Sequence, residues 1–286
     1  MSFDKILKRL EEIEERAAKA TPGPLYRNPV WLAEQYWTHK KSTVEIAQLC
    51  GVCHSTILRW MKHHNITRRS ISEATWLAER NELVLSPEAI EFLEGHLLGD
   101  GCLSPRGKYS ASYTQASKYY QYIKWVADQL ATLGIEQRGN IQRYETEKGG
   151  VIYTYFSRAY WALLQLYHRW YPNGQKRVPK SLELTPTMVR LWFIDDGSLV
   201  RRRSDGWQCV QIATCGFSVD EVSYLTDKLS QVLNVSRHHI HIWPSQKGPR
   251  IYFGKREVLR AFFNYIGPCP LALRSIWGYK WPQDDI

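Results

Sequence analysis

Two carboxylates occupy matching places in this chain. Asp100 ends the apolar stretch Leu93-Glu94-Gly95-His96-Leu97-Leu98-Gly99-Asp100, and Asp196 ends Val189-Arg190-Leu191-Trp192-Phe193-Ile194-Asp195-Asp196 after an offset of 96 residues. Each stretch reads as a helix with its carboxylate in the last turn, where the helix dipole is already negative and more negative charge is disfavoured without a cation. The glycines that follow, Gly101 and Gly197, are expected to take the left-handed conformation that closes a helix. Two carboxylates brought together by such helices would share a hard divalent ion, and Mg2+ suits oxygen ligands with retained water. Asp196 is the expected ligand of the Asp195-Asp196 pair because it directly precedes glycine.

The elements around these aspartates repeat. Ser86-Pro87 and Thr185-Pro186 supply a capping residue and a first-turn proline for the two helices. In the first copy hairpins turn at Ser104-Pro105-Arg106-Gly107 and Lys148-Gly149-Gly150, with helices over about 117–132 and 158–170. In the second the turns are Ser204-Asp205-Gly206 and Gln246-Lys247-Gly248-Pro249, with helices near 219–232 and 255–266. The unit is αββαββα, twice, over residues 86–184 and 185–286, which predicts an α+β fold of two pseudo-symmetric repeats.

A small all-α domain is expected ahead of them, over residues 28–75. Val44 to Leu49 and Ser55 to Trp60 are two helical patterns joined by Cys50-Gly51-Val52-Cys53, a helix-turn-helix spacing with Ala47 small at the crossing and Val52 and Ile57 between the helices. Its second helix would offer His54, Ser55, Thr56 and Arg59 to a major groove. That turn accounts for the Cys-x2-Cys spacing without zinc. Residues 1–27 read as a charged amphipathic helix, with Ile6, Leu10 and Ile13 on one face, and a Pro-Gly linker.

Of 286 residues 44% are hydrophobic, which excludes a disordered chain, and the net charge of +10 suits a polyanionic partner. The charge is uneven: 81–101 carries −5 and 184–200 carries −1, between segments 1–80, 102–183 and 201–260 at +4, +7 and +5. Acidic spots inside a basic body are what a cation site on a phosphate-binding surface requires. In the segment 239–243 the alternation puts Ile240 and Ile242 inward and His239, His241 and Trp243 toward a groove, and Arg201 and Arg203 share one face. No run approaches a membrane span and the N-terminus is charged where a signal peptide is apolar, so no membrane partner and an intracellular, cytoplasmic location are expected. Six cysteines without dense spacing predict no disulfides.

Leu93–Gly101 and Val189–Gly197 resemble the two motifs of single-chain LAGLIDADG homing endonucleases. Residues 178–186, Ile212-Ala213-Thr214 and Phe217-Ser218 are similar to the same branch, so the likeness spans about 86–282. It implies a saddle of two sheets on double-stranded DNA, one metal-binding Asp per repeat, and backbone carbonyls of Gly99 and Asp195 completing the metal shell. It also implies a polar residue at a strand end, matched by Gln115 and in the second repeat by Thr214 or Cys215, and a lysine per half, Lys180 and Lys280. The activity implied is a Mg2+-dependent double-strand break by phosphodiester hydrolysis, made by a monomer. The rival reading is an RNA maturase or a DNA-binding regulator using the same saddle without cutting.

Overall fold

The structure is a computed structural model and describes residues 23–70, 73–74, 83–202, 204, 206–246 and 248–282. The helix expected over 1–20 and Arg203 lie outside the described residues. The chain divides into two units, Met1–Asn81 and Glu82–Ile286.

In the first unit, Asn28 caps α1 (Pro29–Ala33) through Oδ1, which accepts from Val30 N–H at 2.9 Å, and a π-helical turn extends it over Glu34–Thr38. Ser42 and Glu45 form a reciprocal capping box that starts α2 (Thr43–Leu49). A turn with Gly51 at φ +63° leads into α3 (His54–His63). Leu32, Tyr36, Ile46, Ala47, Ile57 and Met61 make a separate core. Arg69 closes it, its guanidinium 3.8 Å over the Tyr36 ring and its Nη2 donating to Lys41 O at 2.6 Å.

The second unit carries the repeat. In the first copy α4 (Pro87–Leu98) leads to β1 (Cys102–Pro105), β2 (Ala111–Ser117), α5 (Tyr120–Thr132), β3 (Gln142–Glu145), β4 (Val151–Phe156) and α6 (Trp161–Trp170). In the second, α7 (Pro186–Asp196) leads to β5 (Gly197–Arg201), β6 (Gln208–Ala213), α8 (Val219–Val232), β7 (His241–Ser245), β8 (Gly248–Phe253) and α9 (Arg256–Ile266), followed by a short α10 (Arg274–Trp277). Two antiparallel four-stranded sheets result, ordered β1-β2-β4-β3 and β5-β6-β8-β7.

The capping signals act as expected. Ser86 Oγ accepts from Ala89 N–H at 3.1 Å and Thr185 Oγ1 from Met188 N–H at 3.3 Å, each ahead of a proline. Helix α5 starts three residues later than its expected start because β2 continues through Ser117, which pairs with Tyr153. One face of each sheet is packed under helices: Leu103, Tyr113 and Tyr155 in the first, Val210, Ile212, Ile251 and Phe253 in the second, all buried in one core. Glu94 is a buried carboxylate in that core, held by Trp170 Nε1–H at 2.9 Å and Arg169 Nη1 at 2.6 Å. Among the described residues no helix is long and apolar enough to cross a membrane.

Candidate active site

Helices α4 and α7 lie against each other at van der Waals distance. A Cβ placed on Gly95 would stand 2.9 Å from Met188 Cα and 3.0 Å from Leu191 Cβ, and one on Gly99 would stand 2.5 Å from Asp195 Cβ. The second motif has larger residues at the matching positions, Leu191 and Asp195, and the contact stays close because the glycines of α4 receive them. One small partner per contact is enough. The glycines after the aspartates are not left-handed as expected: Gly197 is extended, at φ −85°, and Gly101 is absent from the residues with positive φ. What they lack is room, since a Cβ would meet His96 O at 2.8 Å in one case and Phe193 Cδ2 at 2.0 Å in the other.

Asp100 and Asp196 follow from these helix ends and are close enough to repel. Asp196 is pushed up to about 7, by burial first and then by the Asp100 and Asp195 carboxylates, while Lys176 and Lys280 pull it down. Asp100 is raised for the same reasons, burial first and Asp195 next. Repelling carboxylates with pKa values above the ordinary range are relieved by a cation. Among the described residues no cluster of three His, Cys, Asp or Glu side chains is placed to hold a metal, and the residues that could hold one here are the two carboxylates, with carbonyl, water or phosphate oxygen to complete the shell. An all-oxygen set with few protein ligands fits Mg2+.

Each half places a lysine on the carbonyls that end its motif helix. Lys280 Nζ donates to Ile194 O at 2.5 Å and to Phe193 O at 3.4 Å, stands 4.4 Å over the Trp277 ring, and is 5% exposed. Burial brings it down to about 8 against the pull of Asp195, Asp196 and Asp100. In the other half the lysine on these carbonyls is Lys176, not Lys180: Lys176 Nζ donates to Gly99 O at 2.9 Å and Gly101 O at 2.8 Å, whereas Lys180 is exposed and its carbonyl accepts from Tyr224. Burial lowers Lys176 too. Lys176 thus occupies the Gly99 carbonyl that was expected at the metal. Sequence reading missed it because the two lysines stand at different distances from their motifs.

Asp195 does not point toward solvent. Its side chain is fully buried in the first repeat, where Tyr122 donates a hydroxyl hydrogen bond to Oδ1, His96 Nδ1 lies 2.9 Å from Oδ2 and Gln115 Nε2 lies 3.3 Å from Oδ1. Gln115 is itself buried, its Oε1 accepting from Tyr113 at 2.6 Å, so both ends of its amide are engaged. The strand register makes Ile212 its counterpart and not Thr214 or Cys215: Leu103 pairs with Tyr113 as Leu199 pairs with Val210, two positions before Gln115 and Ile212. The chain between β6 and α8 is longer than that between β2 and α5, which shifted the expectation. Thr214 is buried with its hydroxyl on Pro249 O at 2.6 Å, and Cys215 is exposed.

The uncovered faces of the sheets differ. On the second, the rows Gln211–Tyr252–His241 and Ala213–Arg250–Trp243 run across β6, β8 and β7. His241 stacks on Tyr252 at 4.9 Å, Trp243 is 56% exposed, and Gln211, Trp243, Arg250 and Tyr252 line an open hollow of about 380 Å3. His239 is not on this strand: it lies in a 3-10 turn, with Lys255 Nζ 2.6 Å from Nε2 and Glu257 3.2 Å from Nδ1. Arg201 shares the register of Leu199 and Gly197, hence the helix side, and donates to Trp281 O at 2.9 Å. On the first sheet the same face of the register carries Cys102, Ser104, Ser112, Thr114, Ala116, Gln142, Tyr144, Ile152, Thr154 and Phe156, none of them charged, with Ser112 and Thr154 buried. In the first unit His54, Ser55 and Arg59 are exposed on α3 and Thr56 is half-buried.

Paired helices, each leading through an aspartate into an antiparallel four-stranded sheet, define a two-repeat α+β scaffold. The chain belongs to the LAGLIDADG DNA endonuclease family, whose sequence pattern matches residues 90–260. It is 30% identical over 260 residues, 87% of this chain and 96% of the relative, to the uncharacterized protein MJ1098 of Methanocaldococcus jannaschii. Its fold is that of the homing endonuclease I-WcaI, solved bound to its DNA recognition sequence, with a TM-score of 0.57 at 18% identity over 70% of this chain and 89% of that one. The N-terminal LAGLIDADG domain of DUF199/WhiA aligns at 14% identity over 73% of this chain and 98% of that one, with a TM-score of 0.44.

Proposed function

We propose that the protein is a site-specific homing endonuclease that makes a Mg2+-dependent double-strand break in a long DNA target. The observation that carries this reading is the pair Asp100 and Asp196, one per repeat, both raised by burial first, Asp100 next by Asp195 and Asp196 next by Asp100, with a lysine seated on the helix end of each half. When bound, divalent ions supply Lewis acidity and an activated water for in-line phosphodiester hydrolysis. The chain's own groups hold the rest: the carboxylates bind the ions, Lys176 and Lys280 offset the charge gathered at two strands' scissile phosphates, and Gln211, His241, Trp243 and Arg250 face the groove.

A monomer suffices, since each repeat provides one carboxylate. The first unit adds a second DNA contact through His54, Ser55, Thr56 and Arg59 on α3. The test is incubation of the full chain and Mg2+ with a supercoiled plasmid library of random inserts, followed by mapping of the ends of linear products. Discrete ends that vanish with Asp100→Asn are expected. Retention of specific duplexes without cutting would make the protein a regulator, and retention of RNA alone a maturase. Footprints of Arg59→Ala and Ser55→Ala on a recovered site should shorten on one side only.

A further inference from the structure

We propose that Asp195 is a positioning residue, lent by the second repeat to the first, which fixes Gln115 and the backbone of Asp100 and makes the first repeat's chemistry depend on the other half. The kinetic consequence rests on the endonuclease reading; the geometry does not.

Four donors converge on this carboxylate: the Tyr122 hydroxyl, His96 Nδ1, Gln115 Nε2 and, at 3.4 Å, the backbone N–H of Asp100. All four belong to the first repeat, and the acceptor alone comes from the second. Tyr113 extends the chain of bonds by donating to Gln115, so the end of β2 and the end of α4 are tied to one side chain. Space for it exists only because residue 99 is glycine.

The arrangement has no mirror image. At the places of His96 and Gln115 the second repeat has Trp192 and Ile212, both fully buried, and Gly99 stands where a second Asp195 would be. A buried carboxylate beside two others is a poor space-filler, since apolar replacement of buried charge is often neutral or stabilising. Its retention next to Asp100 is accounted for by orientation: hydrogen bonds to a buried charge are directional and stronger than neutral ones. Groups that orient metal ligands from behind typically change activity about 10–100-fold when removed.

The test uses the full chain with Asp195→Asn, which keeps the volume and replaces an acceptor facing four donors. Hydrogen exchange should accelerate in residues 96–101 and 113–117 of the first repeat and stay unchanged in 208–213 of the second. On a plasmid recovered from the library, one strand should be cut about 10–100-fold more slowly, leaving a nicked product always broken on the other strand, with duplex affinity within about threefold of the parent. Tyr122→Phe, which removes one donor, should show the same strand bias more weakly, and it decides the question if the first variant fails to fold. Equal slowing of both strands, or exchange raised alike in both repeats, overturns the proposal. If the parent protein cuts nothing, the endonuclease reading fails, and the exchange pattern alone still decides whether Asp195 holds the first repeat.

Discussion

The two repeats share a topology and differ in what fills it. Around the helix end of the first, His96, Gln115 and Tyr122 make a polar, fully buried cluster; at the places of His96 and Gln115 the second has Trp192 and Ile212. The order reverses on the sheet faces away from the helices, where the first offers neutral Thr114, Gln142 and Tyr144 and the second offers Arg250, His241 and Trp243. An aspartate and a lysine per repeat, the layer the proposed chemistry needs, are common to both. Under the endonuclease reading, the shared layer is what both DNA strands would need, and the differing layers are what each half-site would see separately.

The sharpest break of that comparison is at the common layer. Asp100→Asn and Asp196→Asn should each reduce double-strand cleavage about a thousandfold or more, because each removes a metal-binding charge, while duplex affinity holds or rises as phosphate repulsion falls. A gel assay with matched binding isotherms checks it. A large loss from one variant and none from the other would confine the chemistry to one repeat.

The two aspartates of that layer were legible in the sequence, and Lys176 with much of the surroundings was not. The aspartate helices, their caps at Ser86 and Thr185 and the four hairpin turns are set by residues within a few positions of one another, so periodicity and turn chemistry reveal them. Lys176, Asp195 and Arg201 are different. Their roles depend on which distant backbone they reach: Lys176 meets carbonyls more than seventy residues earlier, and Asp195 crosses into the other repeat. Arg201 fell on the wrong face because strand β5 begins at Gly197, and the register counted from there assigns odd positions to the core. His239 was lost to a 3-10 turn that a short alternating pattern does not distinguish from a strand.

The pH dependence sharpens the comparison next. Asp196 must be ionised to bind a cation and stands at about 7, while Lys280 loses its charge at about 8, so the rate at limiting Mg2+ should peak between these values. At pH 5 it should be lower by about a hundredfold, and saturating Mg2+ should move the acid limb downward by competing with the proton. Stability of the metal-free protein follows the opposite sign on the acid side. Because the folded Asp196 pKa is raised, its contribution falls as pH rises from the ordinary 3.8 toward 7. Because the folded Lys280 pKa is depressed, its contribution rises between about 8 and the ordinary 10.5. Asp196→Asn should melt higher than the parent at pH 8 and lose that advantage near pH 4.

Glycine substitutions ask whether the helix contact is as one-sided as the side chains indicate. Gly99→Ala brings a methyl to 2.5 Å from Asp195 Cβ, backed by the buried cluster, and should cost about 1–3 kcal/mol of stability through overpacking. Gly216→Ala, where a Cβ meets nothing within 4 Å, should leave denaturant midpoints unchanged. If Asp195→Gly restored Gly99→Ala to parental stability, the clash at this contact would be its cause.

The smallest effects are expected at the sheet faces, and there the halves should part. Arg250 projects from β8 between Ala213 and Trp243, with a planar fork of donors that suits a guanine edge in the major groove. Its replacement by alanine should weaken binding to a recovered site about tenfold and relax preference at one base pair, since a bidentate contact is lost together with a charge. Trp243→Ala should cost less, because an exposed ring contributes contact area without a fixed hydrogen bond. Gln142→Ala, on the neutral face of the first sheet, should change affinity about twofold and leave the salt slope unaltered, whereas Arg250→Ala should lower that slope by about one. Binding isotherms at four salt concentrations separate these outcomes. Equal salt slopes for the two alanine variants would mean that the second sheet carries no greater share of phosphate or base contact than the first, and that the difference between the two faces has no consequence for recognition.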